Sequence, residues 1–254
     1  MPLRALIFDV DGTLADTERD AHRVAFNQAF AAADLPFDWD VPTYGYYLKV
    51  TGGKERLRSF LNDHTEYPQL GDADIARIHK QKTGFYVEMM EAGLLPLRPG
   101  VERLLNVARE VGLPIAIATT TTPANVESLL KSTLGKDGPG RFRTIGAGDI
   151  VPHKKPAPDI YLYVLQQLGF PAPDCLALED SENGLRSAAS AGLATVITQT
   201  EYTQHQNFSA ALRVLDQLGE PQAPAQILQG REAGARVVVD VDLLTQWWEE
   251  KTQH

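Results

Sequence analysis

Hydrophobic positions along this chain follow two patterns in turn. Short, nearly continuous apolar runs occur at "ALIFDV", "PIAIATT", "RTIGAG", "CLALED" and "ATVITQ", and most end in polar or glycine-rich residues. Runs of this kind read as strands buried on both faces. Between several of them lie helical patterns: "GVERLLNVAREVG", "PANVESLLKSTLG", "DIYLYVLQQLGF" and "ENGLRSAASAG". Strands alternating with helices predict an α/β fold with a parallel sheet covered on both faces. In such a sheet, ligands collect at the carboxyl ends of the strands.

The alternation breaks after the first strand. From about Ala15 to Leu94 the chain reads as mostly helical, in "DAHRVAFNQAFAAAD", "GKERLRSFLNDH" and "DADIARIHKQKTGFYVEMMEAG". This predicts a core made of residues 1–14 and 95–254 and an inserted helical cap at 15–94, with hinges near "TLAD" and "GLLPLRPG". After about Thr203 the pattern is less regular. "RVLDQLGEPQAPAQI" predicts a short helix and then a loop, "ARVVVDV" an added strand, and "DLLTQWWEEKTQ" a terminal helix. Trp247 and Trp248 either pack that helix onto the core or present a face to a partner.

Composition narrows the function classes. The 254 residues are 43% hydrophobic, enough for a sizeable core. A net charge of -9 argues against nucleic acid as the main partner. An anionic small molecule would need a local cluster of positive groups or a metal ion. The single cysteine, Cys175, excludes an intrachain disulfide framework and reads as a buried, inert thiol. No stretch approaches the ~20 apolar residues of a transmembrane helix. The amino terminus enters a strand at once, without the pattern of a signal or transit peptide. The expectation is a monomeric cytoplasmic protein with no membrane or nucleic-acid partner.

Four strand ends carry the candidate chemistry. "LIFDVDGT" places Asp9 and Asp11 at the end of the first apolar run, where two uncompensated carboxylates are costly to bury. Mg²⁺ suits them, because it takes one or two carboxylates plus water and phosphate oxygens. In isolation the same residues read as an acidic turn. In "IAIATTTTPANV", Thr119 closes the run, Thr120 follows, and Pro123 suits the first turn of the next helix. That arrangement is either a phosphate seat at a helix N-terminus or a plain threonine-rich cap. "HKKPAPD" offers Lys155, with Lys154 as its local competitor, and "LALEDS" offers Glu179 and Asp180. Together the four ends describe phosphoryl transfer. Asp9 would attack phosphorus and form an aspartyl-phosphate, with Mg²⁺ screening the repulsion. Thr119 and Lys155 would hold the transferring group, and Asp11 would serve as general acid and base.

These motifs, DVDGT, the strand ending at Thr119, KKPAPD and LEDS, resemble in order those of the haloacid dehalogenase (HAD) superfamily. The helical insertion is similar to the subfamily I cap, and the HAD fold supplies a Rossmann-like parallel core. The resemblance implies a metal held by Asp9, the backbone carbonyl of Asp11, and Asp180, with Glu179 close by. "TGGKERLRSFL", "ATTTTPANVESL", "KKPAPDIYLYVL" and "ALEDSENGLRSAASAGL" further resemble the CbbY family of photosynthetic organisms. That resemblance implies a phosphatase that removes the C1 phosphate of xylulose 1,5-bisphosphate, an inhibitor of Rubisco. The tail "AQILQGREAGARVVVDVDLLTQWW" departs from the family.

The cap must recognise what the core does not. Gly52 and Gly53 precede Lys54 at a helix start, where the lysine and free N–H groups suit a second phosphate. Lys49, Lys54, Arg56 and Arg58 stand against Glu55 alone; an ordinary solvated basic face is the competing reading. Glu18 and His22, four apart, either contact sugar hydroxyls at the cap–core seam or pair on a helix surface. His79 and Lys82 share a face of a later helix, and the resemblance puts Lys82 in contact with substrate. Two rivals use the same residues: a β-phosphoglucomutase-like mutase, and a catalytically inactive sugar-phosphate binder.

Overall fold

The structure is a computed structural model that describes residues 2–93 and 95–251. Leu94, where the cap was expected to end, and residues 252–254, the expected end of the core, lie outside the described residues.

The sheet is built from β1 (Ala5–Phe8), β2 (Ile115–Ala118), β3 (Thr144–Gly146), β4 (Cys175–Glu179), β5 (Ala194–Thr198), β6 (Arg213–Leu215), β7 (Ala225–Gly230) and β8 (Arg236–Val237). Their order is β3-β2-β1-β4-β5-β6-β7-β8. The first six run parallel, and β7 and β8 extend the sheet antiparallel. Side chains alternate between faces. Leu6 and Phe8 face α5 (Val101–Glu110), α6 (Pro123–Leu134) and α9 (Val241–Lys251). Ala5 and Ile7 face α7 (Asp159–Leu168) and α8 (Glu182–Ser190). Both faces are therefore covered, which is why the strands read as continuous apolar runs. Cys175 is a buried free thiol in β4, pushed up to about 12 by burial.

Between β1 and α5 the chain forms a helical layer. A π-helical turn, Glu18–His22, runs into α1 (Arg23–Ala32), followed by α2 (Val41–Tyr47), α3 (Gly53–Asp63) and α4 (Asp72–Glu91). Phe26, Phe30, Trp39, Tyr44, Phe60 and Ile78 give the layer a cluster of its own. Trp39 sits at its centre, edge-on to Phe30 and Phe60 at 4.9 and 5.5 Å. The hydrophobic pattern misses α2, whose "VPTYGYY" carries proline and glycine. Its legible signal is the cap: Asp40 accepts a hydrogen bond from the Thr43 N–H at 2.7 Å, just before Pro42.

The tail differs from expectation. "RVL" forms β6 rather than a helix, and Ala225–Gly230 forms β7 rather than a loop. The local spacing of "RVLDQLG" suits a helix, but Arg213, Val214 and Leu215 are all buried and pair with Val196, Ile197 and Thr198. Pairing to an open sheet edge overrides local propensity. The strand in "ARVVVDV" is confined to Arg236–Val237. The terminal helix forms, and Trp247 and Trp248 are buried in the core. Arg213 lies over the Trp247 ring at 5.3 Å and pairs with Glu250 at 2.8 Å, which ties α9 to β6.

Trp247→Ala should lower stability by about 3–5 kcal/mol through cavity formation. Urea unfolding checks this; a loss below about 1 kcal/mol would show that α9 packs loosely.

Candidate active site

β1 lies between β2 and β4, so three loaded strand ends are adjacent. Asp9 follows β1, Thr119 follows β2, and Glu179 ends β4 with Asp180 next. Lys155 enters from the segment between β3 and α7, and its Nζ donates to Asp9 Oδ1 at 2.6 Å, Glu179 Oε1 at 2.5 Å and the Ala118 carbonyl at 2.9 Å. The Tyr161 hydroxyl donates to the same Glu179 oxygen at 2.6 Å, and the Asp180 N–H donates to the other at 3.3 Å. Thr119 is buried, and its hydroxyl oxygen accepts from the Thr121 N–H at 3.3 Å. Thr120 lines the cavity above.

Charge in this cluster does not balance. Lys155 pairs with Asp9 and Glu179, while Asp180, buried beside them, is offset only in part by the charge of Arg98. Burial, then Glu179 and Asp11, pushes the Asp9 carboxyl up to about 8 against the pull of Lys155. Burial, then Asp9 and Glu179, pushes Asp180 well above the usual carboxylate range. For Lys155, burial alone would favour the neutral amine, but Asp9 and Glu179 outweigh it and hold the ammonium above its ordinary value. Oxygens of Asp9, Glu179 and Asp180 lie within 4.8 Å of one another, so a hard divalent cation fits here. Glu179 already accepts at both oxygens, so Asp9 and Asp180 are the carboxylates with capacity to spare. Gly12 makes the approach possible: its φ is +87°, and a Cβ there would collide with the Asp180 carboxylate.

Asp11 belongs to a different environment. It accepts from the Thr17 hydroxyl at 2.5 Å and lies 2.8 Å from His22 Nε2. The other His22 nitrogen is 2.5 Å from Lys82 Nζ, and the imidazole stacks on Tyr86 at 4.4 Å. Burial would raise Asp11, yet His22, Thr17 and Lys82 together hold it down at about 2. Burial pushes the Lys82 ammonium down to about 8, against Asp11 and Glu18. Glu18 accepts a short hydrogen bond from the Tyr44 hydroxyl and sits 3.7 Å from Arg56, which itself donates to that hydroxyl at 2.7 Å.

Two cavities, of about 530 and 430 Å³, meet at Asp11, Glu18, Gly52, Arg56 and Thr120. The larger contains Asp9, Lys155 and Asp180; the smaller contains Gly53, Lys54, His79, Lys82 and Lys154. The structure thus gathers Asp9, Asp11, Thr119, Thr120, Lys155, Glu179 and Asp180, with Glu18, His22 and Lys82 beside them. Lys54 and Gly53 stand apart in the smaller cavity. There Asp149 lies between Lys54 at 2.7 Å and Lys154 at 3.1 Å, and Lys154 also holds Glu55 at 2.8 Å.

Three site residues escaped sequence reasoning. Arg56 counts in the sequence only as one member of the basic group with Lys49, Lys54 and Arg58, but it is buried where the cavities meet. Tyr44 lies on the unrecognised α2. Arg98, in "LRPGV", is buried and donates to the carbonyls of Gly12, Thr198, Gln199 and Asp216, fastening the Asp9–Gly12 turn to the ends of β5 and β6. An arginine ahead of a helix-starting Pro-Gly was the available signal.

The family model for haloacid dehalogenase-like hydrolases matches residues 3–192. A plasmid-encoded CbbY protein of Cupriavidus necator is 51% identical over 232 residues, covering 87% of this chain and 88% of that protein. CbbY of Rhodobacter capsulatus is 51% identical over 211 residues, covering 83% and 92%. Among solved structures, a CbbY variant from Rhodobacter sphaeroides in complex with xylulose 1,5-bisphosphate matches with a TM-score of 0.81 at 44% identity, over 85% of this chain and 95% of that one. No helix among the described residues is long and apolar enough to cross a membrane.

The acidic cluster makes a pH prediction. Asp9 binds its proton more tightly folded than unfolded, so its contribution is fully present below the unfolded value and is lost as pH rises through about 8. In EDTA, the unfolding free energy from urea titration should therefore fall with rising pH more steeply than in Asp9→Asn, by at most ~1.4 kcal/mol per pH unit. Mg²⁺ should restore stability most at the alkaline end. A midpoint indifferent to Mg²⁺ there would remove this cluster as a metal site.

Proposed function

The chain belongs to the haloacid dehalogenase-like hydrolases, and from that premise we propose that it is a Mg²⁺-dependent, CbbY-type phosphatase that removes the C1 phosphate of xylulose 1,5-bisphosphate. The products are xylulose 5-phosphate and inorganic phosphate, and the consequence is removal of a Rubisco inhibitor. The observation that carries this reading is the buried Asp9–Lys155–Glu179–Asp180 cluster opening into a cavity that helical-layer residues also line.

Asp9 Oδ1 is held by Lys155, which leaves its second oxygen to attack phosphorus. Asp9, Asp180 and the Asp11 carbonyl would hold Mg²⁺. When bound, the ion neutralises charge between the carboxylates and the phosphate oxygens. Lys155 and the Thr119 hydroxyl hold the transferring group. The leaving sugar alkoxide takes a proton from Asp11, and an aspartyl-phosphate forms on Asp9. Asp11 then takes a proton from the attacking water, the acyl phosphate is cleaved and Asp9 is regenerated. The substrate's dianionic phosphate offsets the cations that keep Asp11 ionised in the resting site and raises its affinity for the proton it must deliver. Residues 15–94 act as a lid that excludes bulk water and selects the sugar.

The smaller cavity suits the non-reacting phosphate. Beyond the residues it shares with the larger one, it carries Lys54, Lys82 and Lys154 against Asp149 alone. The larger cavity carries an excess of carboxylates. A second dianion is therefore favoured on the Lys54 side.

The deciding assay measures phosphate release with Mg²⁺ from xylulose 1,5-bisphosphate, ribulose 1,5-bisphosphate and β-glucose 1-phosphate, with sugar products identified. Selective release from the xylulose compound is expected, and Asp9→Asn should abolish it while remaining folded. Formation of glucose 6-phosphate instead would make the protein a mutase. EDTA-resistant binding of sugar phosphates without turnover would make it a binder.

Lys54→Ala should weaken bisphosphate binding by roughly 10- to 100-fold, as for loss of a charge-assisted hydrogen bond. Equal losses for xylulose 1-phosphate would defeat the distal-phosphate role.

A further inference from the structure

His79, on α4 one turn before Lys82, has a side chain that the mechanism above does not use. Its imidazole lines the smaller cavity, and Nε2 lies 2.6 Å from where a Cβ on Gly53 would stand. A side chain at position 53 would thus displace the ring, and glycine there keeps a path between His79 and the Lys54 end of α3. The Phe26 ring flanks it at 6.2 Å. Among the described residues, the only side-chain hydrogen bond to this residue falls on its backbone carbonyl, which accepts from the Thr83 hydroxyl at 3.0 Å. No group among the described residues hydrogen-bonds the imidazole.

Its charged neighbours come from every element around it. Lys82 lies on the same helix, Lys54 on α3, Lys154 on the segment before α7, and His22 at the end of the π-helical turn before α1. Each carboxylate of the cavity is already engaged: Asp149 by Lys54 and Lys154, Asp11 by His22, Glu18 by Tyr44 and Arg56. Glu55, nearby, is taken by Lys154. The imidazole thus has three lysines around it and, among the described residues, no anion of its own. Burial, then Lys82, Lys54, Lys154 and His22, pushes it down to about 3. A neutral, unpartnered imidazole among three lysines does nothing for packing that a leucine would not do better. It becomes useful when a ligand brings the missing negative charge.

We propose that His79 binds the non-reacting phosphate of the substrate and takes up a proton from solvent as that phosphate enters the cavity. The phosphate dianion reverses the local potential, so the imidazole becomes a charged donor only in the complex. A bisphosphate gains this interaction, whereas a monophosphate that occupies only the Asp9 end does not. His79 thereby contributes to selectivity for substrates with two anionic ends. This role rests on the sugar-bisphosphate reading given above.

The test is calorimetry on Asp9→Asn, which binds without turnover, with Mg²⁺ at about pH 7, where most of a phosphate monoester is dianionic. Xylulose 1,5-bisphosphate and xylulose 1-phosphate are each titrated in two buffers of different ionisation enthalpy. The same is done with Asp9→Asn/His79→Gln. The phosphate's own ionisation contributes equally in both proteins, so the signal is their difference. Expected are net proton uptake with the bisphosphate that the glutamine variant lacks, and an affinity loss of about tenfold, equivalent to about 1.4 kcal/mol. The monophosphate should show no difference in proton uptake between the two proteins. In the ¹⁵N spectrum of the singly substituted protein, the His79 imidazole should move from neutral to protonated on adding the bisphosphate, a readout independent of how the glutamine variant folds. Bisphosphate binding with identical proton uptake in both proteins, or an unmoved His79 signal, would overturn the role of His79 alone. Failure of Asp9→Asn to bind either sugar phosphate would overturn the phosphatase reading and His79 with it.

Discussion

The ammonium of Lys155 is the constraint around which the rest of the site is organised. It reaches Asp9, Glu179 and the Ala118 carbonyl at once, and so joins the ends of β1, β4 and β2 through one atom. Its backbone lies outside those strands, in the segment before α7. A buried ion pair of this kind adds little net stability, because desolvation consumes most of the attraction. What it secures is position: the carboxylates are held apart and in register at the floor of the cavity. Neighbouring residue choices follow from that. Tyr161 occupies Glu179 from the α7 side, so that carboxylate orients the lysine. Gly184 of α8 must lack a side chain, because a Cβ would fall on the Glu179 carboxylate.

The helical layer meets the sheet in two different ways. At one end, Tyr86 and Met90 of α4 and Ala21 and Ala25 join the same apolar cluster as Leu6, Phe8 and Val126. At the cavity mouth the contacts are polar: Arg19 to Glu201, Lys54 to Asp149, Lys154 to Glu55, and Asn183 to Thr51. Largely exposed pairs of this sort are worth less than ~1 kcal/mol each and exchange readily with water. Separating the mouth would thus cost little, whereas separating the apolar end would expose core. Access to the cavity is a property of this asymmetry, with Arg98 fastening the Asp9–Gly12 turn and pairing with Asp16 beside it.

The sheet and its loaded strand ends were legible because each posed a chemical difficulty. A carboxylate that ends an apolar run is unfavourable unless something neutralises it, and two such ends beside a threonine end and a lysine in one parallel sheet admit few explanations. The tail was illegible for the opposite reason. "RVL" is too short to show a period, so the open edge of β5 beside it decides its conformation. The helical insertion was legible in outline but not in facing. The sequence reading sets Arg58 apart as a solvated bystander but assigns Arg56 no place in the site; Leu57, Phe60 and Leu61 turn α3 so that Arg56 points inward and Arg58 outward to Asp72. Which cation a helix buries depends on what it packs against, and in an insertion with its own aromatic cluster that is settled late.

Two carboxylates on one strand end, separated by a single residue, are held in opposite states. Asp9 sits among groups of the sheet, Lys155 and Glu179, and burial favours its neutral form. Asp11 is bound by Thr17, His22 and, through His22, Lys82, all from the stretch between β1 and α5, and is held ionised. Environments that push neighbouring acids apart mark a division of labour. Here the division follows the architecture. The state of Asp9 depends on charge arriving at the floor of the cavity, a cation above all. The state of Asp11 depends on the helical layer being in place, because every partner that stabilises its charge is carried by that layer. Any displacement of the layer therefore acts first on Asp11 and reaches Asp9 only through the charge of Asp11, so the proton inventory of the site is coupled to the same polar mouth that admits the ligand.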